Sequence, residues 1–462
     1  MNNESAVVLV DRNYEFFTPL DILATVMGLS ILLIIVYSRS RRNSDLGYYK
    51  YYPQAFLFKV LFILANCAFY IFIYQGGGDS IGFWDGAVKL NNLFWKDPGL
   101  YISELISEPE YGGHIKNFDS QTGFPDAKIY GEPASYFISK IASIFTFFTF
   151  KGYILMSIIF GFIATNASWK LFELVRSYNL HSDRTLAFAI FFIPSLSFWC
   201  GGISKDTLMW ISICYFITNI YNILSPDRKS SLWNWIAVLL FLYIMYRVRS
   251  FIMLAMLAPL LFAYSARLGR KYGAKSLKRS FLRFVIIIFT TSSIFLFFQT
   301  SLADQYIQEA AVINSDMTNN KSYGNNKYDL GITDYSPSGM ISAVPNSVIA
   351  GLYRPFIWES LSLSLFLNGI ESAILIFLTF RFLTSKNLLK RIRHIRNHEF
   401  LIFAFFFVII LAYFSGFTSI LFGVLVRFKA PLLPFLVILL TAHKKVELKT
   451  SDSEKLNNES II

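Results

Sequence analysis

Apolar runs of membrane-spanning length, separated by short polar breaks, restrict what this chain can fold into more than any other feature. The runs are about 16 to 23 residues long, which is the length that an α-helix needs to cross roughly 30 Å of hydrocarbon. A hydrophobic content of 54% over 462 residues agrees with this interpretation. The predicted fold class is therefore an all-α, polytopic membrane bundle of about eleven transmembrane helices. The predicted helices lie at 21–37, 55–74, 153–174, 185–200, 206–223, 232–246, 250–265, 281–300, 360–382, 399–414 and 417–442.

A twelfth run, at 133–150, is only partly apolar. It begins at Pro133, which suits the first position of a helix, and it contains Ser135, Ser139, Lys140 and Ser143. We therefore predict an interfacial or half-buried helix that does not cross the membrane.

Lysine and arginine are concentrated in every second connection between the predicted helices, and this alternation predicts sidedness. The basic connections contain Arg39, Arg41, Arg42 and Lys50; Arg176 and Arg184; Arg228 and Lys229; Arg267, Arg270, Lys271, Lys275, Lys278 and Arg279; and Lys386, Lys390, Arg391, Arg393 and Arg396. The predicted organisation is one transmembrane domain, 1–445, with its N-terminus outside and large outward segments at 75–132 and 301–345, followed by a cytoplasmic polar tail at 446–462. No basic segment with a cleavage site occurs near the start, so no removable signal peptide is predicted.

Several other functional classes have little support in the sequence. The net charge of +12 does not indicate nucleic-acid binding, because the basic loops account for most of it. Cys67, Cys200 and Cys214 lie in or beside apolar runs without paired spacing, so neither a disulfide framework nor a zinc site is predicted. The five histidines are scattered, and the glycine-rich phosphate loops of nucleotide-binding proteins and the GxSxG motif of serine hydrolases do not occur.

The first large outward segment opens with a glycine-rich stretch, 76–87, that carries two carboxylates, Asp79 and Asp85. Acids at the membrane surface are candidates for catalysis, and capping of the following helix by Asp79 or Ser80 is the alternative. We predict an amphipathic helix from Ser80 to about Lys96 that lies along the membrane surface. Its predicted polar stripe is Asp85, Lys89, Asn92 and Lys96, and its predicted apolar stripe is Ile81, Trp84, Val88 and Trp95.

Six cations lie at the predicted outer end of the helices, against the usual bias of such residues toward the inner side. They are Lys205, Arg247, Arg249, Arg354, Arg427 and Lys429. Cations gathered at headgroup depth beside a carboxylate-bearing loop predict one site for a phosphate or pyrophosphate. The alternative is that they reach lipid headgroups or pair with Asp206, Glu359 and Glu371.

In these features the chain resembles the class C glycosyltransferase superfamily and the multi-pass bacterial polysaccharide polymerases of the Wzy type. The segment from Gly78 to Ala87 is similar to the acid-bearing outward loop of that group. The segment from Gly423 to Pro434, with Arg427 and Lys429, is similar to the arginine-bearing last outward segment of some polymerases. Here the acidic loop follows the second predicted helix instead of the first, and its acids do not form a DxD pair.

The resemblance implies a membrane glycosyltransferase or polysaccharide polymerase of the bacterial cytoplasmic (inner) membrane, using a polyprenyl-(pyro)phosphate-linked sugar donor at the outer leaflet. Asp79 would be the general base, Asp85 would assist it or position the sugar, and the six outer cations would bind the phosphate. The expected partners are the polyprenyl-linked saccharide and membrane lipids, and a divalent cation at Asp79 stays open as a cofactor. Two alternatives also stay open. One is a transporter or flippase of lipid-linked saccharide, which needs broken helices and polar groups at mid-membrane, and the other is a noncatalytic subunit of an envelope assembly complex.

Overall fold

The computed structural model describes residues 15–75, 77–108, 114–224, 231–271, 327–331, 336–359 and 362–442. Within these ranges the regular structure is helical, apart from one isolated β-bridge between Lys327 and Leu421. The α-helices are α1 (Pro19–Arg42), α2 (Tyr51–Ala68), α3 (Asp79–Lys96), α4 (Pro98–Ile106), α5 (Ala127–Gly131), α6 (Pro133–Thr149), α7 (Tyr153–Ser177), α8 (Asp183–Phe191), α9 (Pro194–Trp199), α10 (Lys205–Leu224), α11 (Leu232–Lys271), α12 (Pro337–Ser342), α13 (Val344–Tyr353), α14 (Leu363–Leu383), α15 (Leu388–Asn397), α16 (Glu399–Thr418), α17 (Phe422–Lys429) and α18 (Leu433–Thr441). The predicted helix 281–300, most of the predicted segment 301–345 and the tail 446–462 lie outside the described residues.

Eight helical segments in the described part of the chain are long and apolar enough to cross a membrane, as expected for a helical membrane protein. They are Pro19–Arg42, Gly47–Ile73, Tyr153–Ser177, Lys205–Leu224, Leu232–Tyr264, Leu365–Leu383, Glu399–Thr418 and Phe422–Thr441. The predicted list is longer for three reasons: 281–300 is not described, 185–200 is broken, and 232–246 and 250–265 fall within one of the eight segments, although the chain turns between them at Arg249.

The predicted helix at 185–200 consists of two short helices. α8 ends at Phe191, and α9 begins at Pro194, a residue that has no N–H to continue a helix but suits the first position of a new one. The start of α8 is tied to α7 by the Arg176–Asp183 ion pair, whereas Trp199 at the end of α9 lies beneath the Arg427 guanidinium. The broken pair therefore runs from one end of the bundle to the other.

The chain reverses its direction within α11, at Arg249. This residue has non-helical angles of φ −155° and ψ 89°. Before it, Phe241 stacks on Tyr215 of α10; after it, Phe251 packs against Phe414 near the end of α16, and Phe262 packs against Phe406, two turns earlier on that helix. The two halves of α11 therefore run in opposite directions and meet at the predicted turn around 247–249.

The bundle has two chemically different ends. At the first, here called the basic-loop end, Arg176 stacks on Tyr48, His181 hydrogen-bonds the Ile438 carbonyl, and Arg391 donates to the Leu440 carbonyl. At the second, the carboxylate end, Arg427 contacts both Asp79 and Asp206. Among the described residues, the basic connections that contain Arg176 and Arg391 thus lie at the opposite end of the bundle from Arg427, in agreement with the predicted alternation. Which end faces outward stays a prediction.

Both ends of α6 lie at the carboxylate end, which agrees with the prediction that 133–150 does not cross. Glu132, just before α6, pairs with Lys205 at the start of α10. Lys151, just after α6, accepts a hydrogen bond at its carbonyl from Trp84 of α3 at 2.7 Å. The first turn of α3 belongs to the same end, because Ser80 hydrogen-bonds Tyr153 at 2.9 Å.

Helix α3 has nearly the predicted range, but the predicted stripes are wrong at two positions. Ile81 and Asp85 were assigned to opposite faces, although residues four apart share one face of a helix. Both are buried against the neighbouring helices, at 1% and 3% exposure. Gly86 permits this close packing, because a Cβ atom there would lie 2.6 Å from the Ser139 hydroxyl of α6.

Single cysteines at the two ends test the predicted orientation. Ser120 in the α4–α5 connection and Ser44 after α1 are exposed, whereas the three native cysteines are buried and should give little background. We expect an impermeant maleimide to label Ser120→Cys in intact cells and Ser44→Cys only after permeabilisation. The reverse pattern would invert the orientation and place the carboxylate end in the cytoplasm.

Candidate functional site

Four charged side chains from four helices form a continuous ionic network at the carboxylate end. Arg427 Nε donates to Asp206 Oδ2 at 3.1 Å, and Arg249 Nη1 donates to Asp206 Oδ1 at 2.5 Å. The other two nitrogens of Arg427, Nη1 and Nη2, lie 3.3 and 3.4 Å from Asp79 Oδ2. The order is therefore Asp79, Arg427, Asp206, Arg249, with two negative and two positive groups.

The network has a buried end and an accessible end. The Asp206 side chain is 0% exposed and that of Arg249 is 8% exposed, whereas the Asp79 side chain is 38% exposed. Aromatic rings enclose the cations: Phe428 lies 4.3 Å from the Arg249 guanidinium, and Trp199 lies 5.4 Å from that of Arg427. Ion pairs in such surroundings are screened little by water, so Asp206 holds both arginines firmly, and Asp79 is the member that a ligand can reach.

The backbone at Gly78 determines where Asp79 lies. Gly78 has φ +85°, and a Cβ atom there would be 2.9 Å from the Tyr70 ring, so only glycine fits this turn. Gly78 is also the N-cap residue of α3, with no side-chain capping bond, and the Ser80 hydroxyl contacts Tyr153. The alternative prediction that Asp79 or Ser80 caps this helix is therefore wrong. The Asp79 carboxylate is directed to Arg427 instead.

Two of the predicted phosphate ligands, Lys205 and Arg247, pair with acids of the outward segment predicted at 75–132. Lys205 pairs with Glu132, and Arg247 grips Glu108 with two nitrogens, one of them at 2.9 Å. The Arg247 hydrogen bonds hold the pKa of Glu108 below its usual value. Burial raises the pKa of Glu132, but Lys205 outweighs it and the net shift is downward. Both cations therefore fasten the loop to the bundle.

Arg354 and Lys429 belong to a second group beside the network. Lys429 is buried and donates to the Arg354 carbonyl at 2.7 Å and to Ser372 at 3.1 Å. The Arg354 guanidinium lies 3.4 Å from Glu359 and 4.8 Å from the centre of the Tyr328 ring. These six cations therefore do not form the single phosphate site that equal depth predicted.

A shallow cavity of about 370 Å³ opens beside Arg354. Its lining residues are Lys327, Tyr328, Asp329, Arg354, Trp358, Glu359 and Phe422. Arg354 Nη1 is buried and has no hydrogen-bond partner among the described residues. Phe422 and Arg427 are both on α17, about 8 Å apart along its axis, so this helix joins the cavity to the ionic network.

Asp85, the second predicted catalytic acid, lies apart from the network. Its carboxylate is buried and 3.1 Å from Lys89 Nζ, one turn further along α3. A buried carboxylate held by a neighbouring lysine stabilises the helix and is poorly placed to meet a ligand. The prediction that Asp85 assists Asp79 is therefore not supported by their positions.

A metal ion has no ready-made ligand set in the described part of the chain. No group of three or more His, Cys, Asp or Glu side chains converges there. The two carboxylates of the network, Asp79 and Asp206, are both bound by Arg427. A divalent cation at Asp79 would need ligands from a substrate or from water.

Three acids of this end, Asp206, Glu132 and Glu108, were not predicted as site residues from the sequence. Asp206 was named only as a pairing partner for the cations, although it is the acid that joins Arg249 to Arg427. Its sequence signal was an acid in the first turn of an apolar run, where an unpaired charge is costly.

Comparison with known proteins gives no family assignment. No family model matches the chain, and no match is found among curated proteins or among solved structures.

Proposed function

We propose that the protein is a membrane glycosyltransferase or polysaccharide polymerase that uses a polyprenyl-(pyro)phosphate-linked sugar donor. The observation that carries the proposal is the orientation of Arg427. Asp206 holds its Nε, while its two terminal nitrogens point to the accessible Asp79 with long contacts of 3.3 and 3.4 Å. A guanidinium held in this way offers a preoriented fork for a phosphate.

In the proposed cycle, the donor phosphate replaces Asp79 on the fork of Arg427. This exchange releases the Asp79 carboxylate from Arg427 at the moment when the donor is bound, so that its oxygen atoms can accept a hydrogen bond from the acceptor hydroxyl. Donor binding and release of the base are thereby coupled through one side chain, Arg427.

The chemical step then uses the two bound substrates together with the side chains of Asp79 and Arg427. The acceptor hydroxyl attacks the anomeric carbon, and Asp79 accepts its proton. The bond between that carbon and the phosphate oxygen breaks, and its electron pair stays on the lipid (pyro)phosphate. Arg427, supported by Arg249 through Asp206, stabilises the developing negative charge.

The cavity beside Arg354 provides space for a saccharide near this centre. Trp358 is 79% exposed at its edge and stacks on Phe356, and a flat exposed aromatic surface suits the apolar face of a sugar ring. The unpartnered Nη1 of Arg354 adds a hydrogen-bond donor. We assign this cavity to the saccharide portion of donor or acceptor.

Transport of a lipid-linked saccharide is the second candidate, and the broken helix pair α8–α9 favours it, because transporters place broken helices at mid-membrane. The buried charges around that break have a structural explanation, however. Glu371 accepts bonds from the Ser195 N–H and hydroxyl at the start of α9, and Lys59 donates to the Cys200 carbonyl at its end. An acid at the N-terminus and a base at the C-terminus complement the dipole and the unpaired groups of a buried helix.

The lipid-linked saccharide pool of cells that lack the protein tests the proposal. We expect unpolymerised or unmodified units to accumulate on the outer leaflet, since donor delivery continues while transfer stops. Native protein should clear this pool, Arg427→Lys should clear it only partly because the ammonium lacks a fork, and the matched variant Arg247→Lys should behave nearly as the native protein. Accumulation on the inner leaflet would favour a flippase instead. Equal clearance by Arg427→Lys and native protein would remove Arg427 from the phosphate site.

A further inference from the structure

A cavity lies at the basic-loop end of the bundle, far from the carboxylate network. Its volume is about 710 Å³. It is bounded by α14, α15 and the end of α18, with lining residues Thr185, Leu378, Arg381, Ser385, Asn387, Lys390, Arg391, His394, Leu440, Thr441 and Ala442. Three of these are lysine or arginine, and none is an acid.

Arg391 is held in a fixed position at this cavity. It donates through Nη2 to the Leu440 carbonyl, and its guanidinium lies 4.5 Å from the centre of the Phe382 ring. Its Nε is buried without a hydrogen-bond partner among the described residues. Burial lowers the pKa of Arg391, and the charge of Arg381 lowers it further. Converging cations that no lining carboxylate offsets are stabilised by a bound anion.

The surface beside the cavity is apolar. α14 exposes Ile374, Phe377 and Phe380, which are 54%, 61% and 64% exposed, in the turns next to Leu378 and Arg381. A span of this kind faces hydrocarbon. Basic pockets between helices at a membrane surface are typical sites for anionic lipid headgroups, whose acyl chains then follow the apolar helix face.

We propose that this cavity binds the phosphate-bearing headgroup of an anionic phospholipid. Arg381, Lys390 and Arg391 contact the headgroup, and the exposed face of α14 contacts the acyl chains. The inference does not depend on the proposed function of the carboxylate end, because the two sites share no residue.

The test measures the thermal unfolding of the full-length protein in a neutral detergent. Phosphatidylglycerol, phosphatidylcholine and inorganic phosphate are titrated separately. We expect phosphatidylglycerol to raise the unfolding temperature in a saturable way, phosphatidylcholine to have little effect, and inorganic phosphate to act only weakly. Arg391→Gln and Arg381→Gln should each weaken the apparent affinity for phosphatidylglycerol by about tenfold or more.

Arg393→Gln is the matched control, because Arg393 is on the same helix, is exposed and does not line the cavity. It should bind phosphatidylglycerol like the native protein. Arg391→Gln could be unstable, because it loses the hydrogen bond to the Leu440 carbonyl. In that case Arg381→Gln, which keeps this bond, still tests the site. Equal weakening by Arg393→Gln would reduce the effect to general surface charge and overturn the site. Full protection by inorganic phosphate alone would overturn the lipid assignment. Lack of any lipid dependence would overturn it as well.

Discussion

The Asp79→Asn variant is expected to lose at least about a hundredfold in saccharide transfer while it remains folded, because general base catalysis contributes roughly 10²- to 10⁴-fold. Asparagine keeps the size of the side chain and removes its basicity. Asp79 is 38% exposed, and Asp206 still holds Arg427 in the variant, so the loss in stability should be about 1 kcal/mol or less. The measurement is transfer from a lipid-linked donor by purified protein, with the folded fraction determined in parallel.

Asp85→Asn is the control variant, and its expected effects are the reverse. Asp85 is buried beside Lys89, so its neutralisation should lower stability by about 1 to 3 kcal/mol. The transfer rate per folded molecule should fall only a few-fold. If Asp79→Asn is fully active, Asp79 merely balances the charge of Arg427. If Asp85→Asn is instead the inactive variant, the base has been assigned to the wrong acid.

The helical class and most helix positions could be predicted, because membrane thickness sets the length of an apolar helix directly. Breaks inside apolar runs were harder to predict. Pro194 divides the run 185–200, and this division depends on Glu371, which is far away in sequence and satisfies the new helix start. Apolar composition alone does not encode such a partner.

The site was predicted in part. Asp79 and Arg427 were both singled out from the sequence, and the structure brings them together although they are 348 residues apart. The shared membrane depth of the cations did not predict the direction in which each side chain points, however. Arg427 and Lys429 are two residues apart on α17, which turns their side chains by about 200°, so one enters the network and the other contacts Ser372. Depth follows from the position along a helix, whereas direction depends on packing against other helices.

Asp206→Asn is expected to lower the free energy of unfolding by about 3 to 5 kcal/mol, because it leaves two enclosed arginines with too little negative charge. In the native network two acids balance Arg249 and Arg427, and Asp206 is the fully buried acid of the two. Transfer activity should fall together with stability, since Arg427 loses the bond that orients its fork. Thermal unfolding in detergent and transfer per folded molecule are the two measurements.

A second substitution separates the charge effect from the catalytic effect. In the double variant Asp206→Asn with Arg249→Gln, one cation is removed together with the acid, so Asp79 again balances Arg427. Stability should recover by a large part of the loss, whereas transfer should stay low because nothing holds Arg427 Nε as a carboxylate did. Recovery of both properties would mean that Arg427 needs no fixed orientation. An Asp206→Asn single variant as stable as the native protein would mean that water reaches the arginines, and the network would then be too weakly enclosed to orient Arg427 as proposed.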